Sequence, residues 1–232
     1  MKVERLKIGE VEIAVTFKAI KNLHLSVHPP EGHVTISSPE FYSLERVKIY
    51  AATKLGWIKK EQKKFREQAR ESERLMINRE SHYLFGERYL LDVQAGKRNS
   101  VRLNGKKMVL IVTDTGDKDL KHRVLYRYYR QELRKRLESL VASYARKMEL
   151  ITPPSFKIRV MKTKWGSCAV NSERLWFNIE LAKKPLECIE YVVVHELVHL
   201  LERHHNKRFV LLMDQYFPSW RMQKKVLNEL PL

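Results

Sequence analysis

The amino-acid sequence predicts an α+β fold, a β-rich N-terminal half leading into a C-terminal half of helices and two short strands. Two patterns predict it. Short runs rich in β-branched residues alternate with turn residues over the first forty positions, and again from His82 to Val112. From about Asp119 onward, apolar residues recur every three or four positions, the period of a helix with one buried face. The chain therefore reads as residues 1–116, β-rich with one long helix, and residues 117–232, the two being parts of one continuous domain.

In order, strands are expected at Val3 to Ile8, Val11 to Phe17, Leu23 to Val27 and Val34 to Ser37. Gly9-Glu10 and Pro29-Pro30-Glu31-Gly32 supply turns between them. Ser43 can cap a helix in which Leu44, Val47, Ala51, Leu55 and Ile58 share a face, and whose continuation to Arg70 is nearly all charged. In the second β-rich stretch, turns are expected at Gly86-Glu87, Gly96-Lys97 and Asn104-Gly105. The last of these joins Ser100–Leu103 to Met108–Val112 as a hairpin. A long helix follows from about Asp119 to Glu149, with Leu125, Tyr129, Leu133, Leu137, Leu140 and Tyr144 on one side. Thr152-Pro153-Pro154 forbids its continuation. Phe156 to Met161 and Arg174 to Asn178 read as strands, and everything from Pro185 onward as helices.

At 232 residues and 44% hydrophobic content, the chain can bury a sizeable core and is not a candidate for disorder. Its charge is unusual: 45 Lys+Arg against 27 Asp+Glu leaves +18, a field that attracts polyanions, nucleic acid first and anionic membrane second. Lys2, Glu4, Arg5 and Lys7 stand where a signal peptide needs apolar residues, and no apolar run is long enough to span a bilayer. With only Cys168 and Cys188, the expectation is a cytoplasmic protein whose thiols stay reduced.

The chemistry is concentrated in His195-Glu196-Leu197-Val198-His199, set among Leu186, Ile189, Val192, Val193 and Leu200. Residues four apart share a helix face, so both imidazoles can reach one metal ion. Glu196 is rotated about 100° from His195, beside the ion, where it can hold and deprotonate a water. A catalytic zinc takes three protein ligands and leaves a position open. Glu202, His204, His205 and Asp214 are downstream candidates for the third, and spacing alone does not separate His204 from His205. The plain alternative is a surface helix with solvated histidines. The apolar neighbours argue against it, since buried histidines and a buried glutamate need partners.

The segments Trp165-Gly166-Ser167-Cys168, Leu175, Asn178, Pro185, Tyr191 to Leu200, His205, Phe209 and Pro218-Ser219-Trp220 resemble the YgjP-like metallopeptidase family, relatives of the SprT-like zincins. That resemblance runs over nearly the whole chain. It implies a zincin-like catalytic core, with the motif helix beside a small sheet and an edge strand next to the metal. It also selects His205, six residues after His199, as the third ligand. Trp165-Gly166-Ser167-Cys168 is similar to the family's second signature. A glycine that admits close approach and a flat indole read as an edge of the substrate cleft, with a tight turn around a core tryptophan as the plain alternative. Asn178 is a candidate for substrate contact or oxyanion stabilisation. His204 and the backbone around Ser167 are the other oxyanion candidates. Cys168 is either a small buried residue or an additional thiolate ligand; Cys188, two turns before His195, is expected in the core.

Basic residues gather on two helices, from Lys59 to Arg70 and from Lys121 to Lys147, the latter including Arg127, Arg130 and Arg134 with Tyr126, Tyr128 and Tyr129 among them. Lys157, Arg159, Lys162, Lys164, Lys183 and Lys184 flank the expected cleft. Interleaved aromatic and basic residues suit unpaired bases, although solvated helix faces explain the charge equally simply. The SprT relatives act on DNA-bound proteins, so DNA as a partner is an expectation by analogy. Three functions follow: a zinc peptidase with Glu196 as general base, with nucleic-acid-associated proteins as a candidate substrate class; a metal-dependent nucleoside triphosphate phosphohydrolase; or a nucleic-acid-binding module with structural zinc.

Overall fold

A computed structural model of the chain describes residues 3–28, 32–67 and 74–230, with backbone alone at 64–67. The expected turn at Pro29-Pro30-Glu31 and the basic side chains of Lys64, Arg66 and Arg70 lie outside the described residues. The chain divides into two compact units, Met1–Ala69 and Arg70–Leu232.

In the first unit, β1 (Val3–Ile8), β2 (Val11–Lys18), β3 (His24–His28) and β4 (His33–Pro39) form one sheet in the order β1-β2-β4-β3. The β2–β4 pair is parallel and the outer pairs antiparallel. Alternation sends Val11, Ile13 and Val15 of β2 and Val34 and Ile36 of β4 into a core completed by Val47, Ala51 and Ile58. Those last three belong to α1 (Leu44–Thr53) and α2 (Leu55–Glu67), two helices where the sequence suggests one. Ser43 caps α1 by accepting the Arg46 N–H. The break has a local cause: the Thr53 hydroxyl donates to the Tyr50 carbonyl, and the Lys54 N–H bonds Ala51 rather than Tyr50.

The second unit opens with β5 (Ser81–Leu84), β6 (Glu87–Ala95), β7 (Ser100–Asn104) and β8 (Lys107–Val112), ordered β5-β6-β8-β7. The expected hairpin joins β7 and β8, its turn carried by Gly105 at φ +54°. Helix α3 (Lys118–Lys147) starts on the Asp117 side chain, which accepts the Leu120 N–H at 2.8 Å. It buries Leu125, Tyr129, Leu133, Leu137, Val141 and Tyr144. Met108, Leu110 and Val112 of β8 share one apolar cluster with that stripe. For this reason the expected boundary at 116/117 falls inside the second unit: cutting there would expose both partners.

Beyond α3, β9 (Ser155–Arg159), β10 (Gly166–Ala169) and β11 (Arg174–Asn178) make a three-stranded sheet in the order β10-β11-β9. A 3₁₀ turn, Ile179–Lys183, leads to α4 (Leu186–Leu201), then α5 (Lys207–Tyr216) and α6 (Trp220–Glu229). Helix α4 is deeply buried, with Ile189, Val193, Val194, Leu197 and Val198 fully enclosed. Pro185 is its N-cap, one position earlier than the first-turn place expected from sequence. The β5–β6 turn steadies that start, because Phe85 N–H donates to Ala182 and Gly86 N–H to Lys183.

Gly86 is needed there twice over. Its φ is +83°, and a Cβ would lie 3.1 Å from the Pro185 backbone. Gly86→Ala is expected to destabilise the second unit by about 2 kcal/mol, from left-handed strain and the close approach. Urea unfolding followed by tryptophan fluorescence reads this, and an unchanged midpoint would remove the turn from the support of α4.

Candidate metal centre and active site

Helix α4 carries His195, Glu196 and His199 at its C-terminal end, on a stripe that faces β10 and the chain beyond the helix. Glu202 ends the helix in an extended conformation, and the chain doubles back until Asn206 caps α5 by accepting the Phe209 N–H at 3.0 Å. This reversal returns His205 over α4. Its Nε2 lies 3.1 Å from the Nε2 of His195, and one ligand atom from each of His195, His199 and His205 lies within 4.8 Å of the others. His204 stays outside the group, exposed, its backbone N–H donating to the Glu202 carboxylate at 3.1 Å. Asp214 accepts from Trp220 Nε1 and from Arg221, and so serves the α5–α6 corner. Glu202 contributes its carbonyl, 3.2 Å from His199 Nδ1, which leaves the other nitrogen of that ring free to ligate.

The triad fits a metal ion. Three imidazoles at tetrahedral corners, each about 2.1 Å from a zinc-sized ion, would stand about 3.4 Å apart, close to the separation of the His195 and His205 nitrogens. Burial, with His199, His205 and Lys224 adding to it, pushes His195 down to about 3; burial also lowers His199 and His205. All three are therefore neutral near pH 7 and offer lone pairs. His195 Nδ1 is buried with no protein partner.

Glu196 sits beside the triad, 5% exposed, with its carboxyl pushed up to about 8 by burial against a smaller downward pull from Lys164. Its neighbour is the backbone of β10. A Cβ on Gly166 would lie 2.6 Å from Glu196 Oε1, so only glycine leaves room for the carboxyl. Around these groups opens a cleft of about 580 Å³, walled on one side by β10 and on the other by Tyr191, Val192 and the triad. Trp165, Gly166 and Ser167 line it as expected. Cys168 lines it too, but lies outside the metal-ligand group and is held as a thiol, pushed up to about 11 by burial and by Glu196. Cys188 is fully buried in the core.

Asn178 departs from expectation. It is 0% exposed and does not line the cleft. Its Nδ2 donates to the carbonyls of Met161 at 2.8 Å and Lys164 at 3.0 Å, and its Oδ1 accepts from the Glu180 N–H. An amide so occupied has nothing left for a substrate; it ties the loop before β10 to the end of β11. Of the stacking surface expected on α3, Tyr129 is 1% exposed and the Tyr126 hydroxyl donates to Glu180 at 2.8 Å, while Tyr128 is half-buried. Arg130 donates to the Ile158 carbonyl and Arg134 pairs with Glu138, while Arg127 and Lys162 are exposed away from the cleft lining. Lys164 does line the cleft, and so do Tyr191 and Arg203, to which sequence reasoning assigned no role. For Tyr191 the signal was available, since it precedes His195 by one helical turn.

The chain matches the family described as "YgjP-like, metallopeptidase domain" over residues 21–230, and it belongs to that family. No curated protein matches the chain. Among solved structures it is similar to the metallopeptidase zymogen of Pyrococcus abyssi abylysin, at 18% identity over 39% of this chain and 90% of that one, TM-score 0.37. A second is the zymogen of Methanocaldococcus jannaschii jannalysin, at 19% identity over 39% and 92%, TM-score 0.36. The family implies a metal cofactor and protein or peptide substrates. No helix among the described residues is long and apolar enough to cross a membrane.

A divalent transition metal held at a hundredfold its dissociation constant is expected to stabilise the metal-free chain by about 2.7 kcal/mol. His199→Ala is expected to abolish that gain and His204→Ala to leave it intact, both read by thermal unfolding with and without metal. Loss of the gain in the His204 variant would place the third ligand wrongly.

Proposed function

We propose that this YgjP-like domain is a zinc-dependent peptidase, with His195, His199 and His205 as ligands and Glu196 as the general base. The observation that carries the reading is the convergence of three neutral imidazoles beside a buried carboxyl, all opening on one cleft. Three nitrogen donors favour zinc over the hard, oxygen-seeking cations. Zinc bound there would supply Lewis acidity, acidifying a water and polarising the scissile carbonyl.

The protein's own groups do the rest. Beside a dication held by the triad, the raised Glu196 carboxyl would return to its ionised form. The carboxylate would then take the proton of the attacking water and return it to the departing amide nitrogen, one group serving both steps because it stays at one place. Gly166 fixes that place by admitting the carboxyl against the strand. Strand β10 is the edge of its sheet, paired with β11 on one side and lining the cleft with all four residues. A substrate backbone can add to such an edge as an extra strand, which holds the peptide extended beside Glu196.

The competing readings draw less support. A phosphohydrolase would be expected to gather carboxylates around its ion, whereas the ligand group is all imidazole. A structural zinc would need a fourth protein ligand, and neither His204 nor Cys168 joins the group. Nucleic-acid-associated substrates draw support from charge alone, since Tyr129, one of the tyrosines that would stack on bases, is buried.

Glu196→Gln is expected to keep the metal, by elemental analysis, and to lose about 10²–10⁴-fold in hydrolysis of an unfolded protein. Gly166→Ala should also keep the metal, yet lose on the order of 10²-fold in kcat as the carboxyl is displaced. Full turnover by the Glu196 variant would sink the assignment of the base.

A further inference from the structure

The charge lining the cleft is one-sided. Apart from Glu196, whose carboxyl is committed to the reaction, its charged side chains besides the triad are Lys164 and Arg203, both exposed. Neither has a carboxylate within salt-bridge distance among the described residues. Some other cations of the second unit are paired, Lys106 with Glu87, Lys135 with Glu132 and Arg221 with Asp214. Lys224 on α6 adds its field to His195 and His205, again with no acid in salt-bridge range. The one other carboxylate beside His199, Glu202, is turned to the His204 N–H.

Lys164 leads into β10, the strand along which a peptide would lie, and Arg203 stands just past the end of α4. Two like charges lining one cleft focus their field, attracting carboxylates and repelling ammonium and guanidinium groups more strongly than the same charges on a flat surface. We infer that the cleft selects peptide segments carrying aspartate or glutamate close to the bond to be cut, with Lys164 and Arg203 as the selecting residues. The inference rests on the peptidase reading and adds to it a substrate class: acidic, extended segments.

The test uses the metal-loaded full chain and three peptides of equal length, identical at the scissile bond and flanked on both sides by Glu, Gln or Lys. The Glu peptide should exceed the Lys peptide by at least about tenfold in kcat/KM, with a gap that narrows as salt rises. In the double variant Lys164→Glu, Arg203→Glu the order should reverse. Equal rates for the three peptides would overturn the inference, and so would an acidic preference unchanged in the double variant, which would assign it to the general basic surface. In parallel, fluorescence anisotropy of the same peptides on the metal-loaded Glu196→Gln protein reads recognition without turnover. If no peptide is cut, the peptidase reading fails, and the binding order alone decides the charge selection: tighter Glu than Lys upholds it, equal affinity ends it.

Discussion

Helix α4 must satisfy two demands that oppose each other. Its apolar faces are sealed in the core, with Val193, Val194, Leu197 and Val198 all fully enclosed, so the helix cannot tilt outward to wet its polar stripe. Yet that stripe carries His195, Glu196 and His199, whose desolvation shows in the depressed imidazoles and in the raised carboxyl. Burying such groups without partners costs on the order of 1–3 kcal/mol each. The rest of the second unit can be understood as what makes this tolerable: a cleft that opens beside the stripe, a third imidazole brought back by the turn after α4, and a strand whose glycine leaves space for the carboxyl.

Rigidity around the stripe comes from groups that never enter the cleft. Asn178 is the clearest case. By donating to Met161 and Lys164 and accepting from Glu180, it joins the loop before β10, the end of β11 and the 3₁₀ turn before α4. Behind the helix, Tyr144 of α3 donates to Glu190 at 2.7 Å, and Tyr126 donates to Glu180, which also pairs with Lys183 at 2.6 Å. These partly buried, charge-assisted bonds are among the stronger hydrogen bonds a protein makes. They fix the start and middle of α4 against α3, so that the C-terminal turns holding the histidines inherit a fixed position.

Most of the secondary structure was legible because it rests on periodicity. The four strands of the first unit, the β7–β8 hairpin, α3 and β11 all fall within a residue or two of where alternation and helical spacing put them. What escaped was set by single hydrogen bonds or by distant partners. The break at Lys54 depends on one threonine hydroxyl. Strand β10, four residues with a glycine first and no alternation, exists only because β11 pairs with it. The motif histidines were legible from their four-residue spacing, but His204 and His205 are adjacent and differ only in which way a tertiary turn points them. Asn178 misled for a related reason: a side-chain amide serves a ligand or a backbone equally well, and sequence does not say which lies within reach. The tyrosines on α3 were read as a surface because they lie among arginines, yet a helix that long has room for a basic face and an aromatic core face together.

A positive surround is at first sight a poor place for a cation. Lys164, Arg203 and Lys224 all stand near the triad, and each repels an incoming metal. Magnitudes settle the matter. A unit charge roughly 8 Å from a divalent ion, at an effective dielectric of about 40, costs about 2 kcal/mol before salt screens it. Structural zinc sites in small domains gain about 10–16 kcal/mol from coordination, so three screened charges weaken binding without deciding it. Lys224 also disfavours protonated His195 and His205, and protons compete with a metal for those nitrogens, so part of its cost is returned as ligand availability. What a few kcal/mol does decide is the choice among substrates, whose differences in binding are of that size. The positive field thus weakens metal binding without preventing it, and is consequential for whatever enters the cleft beside the ion.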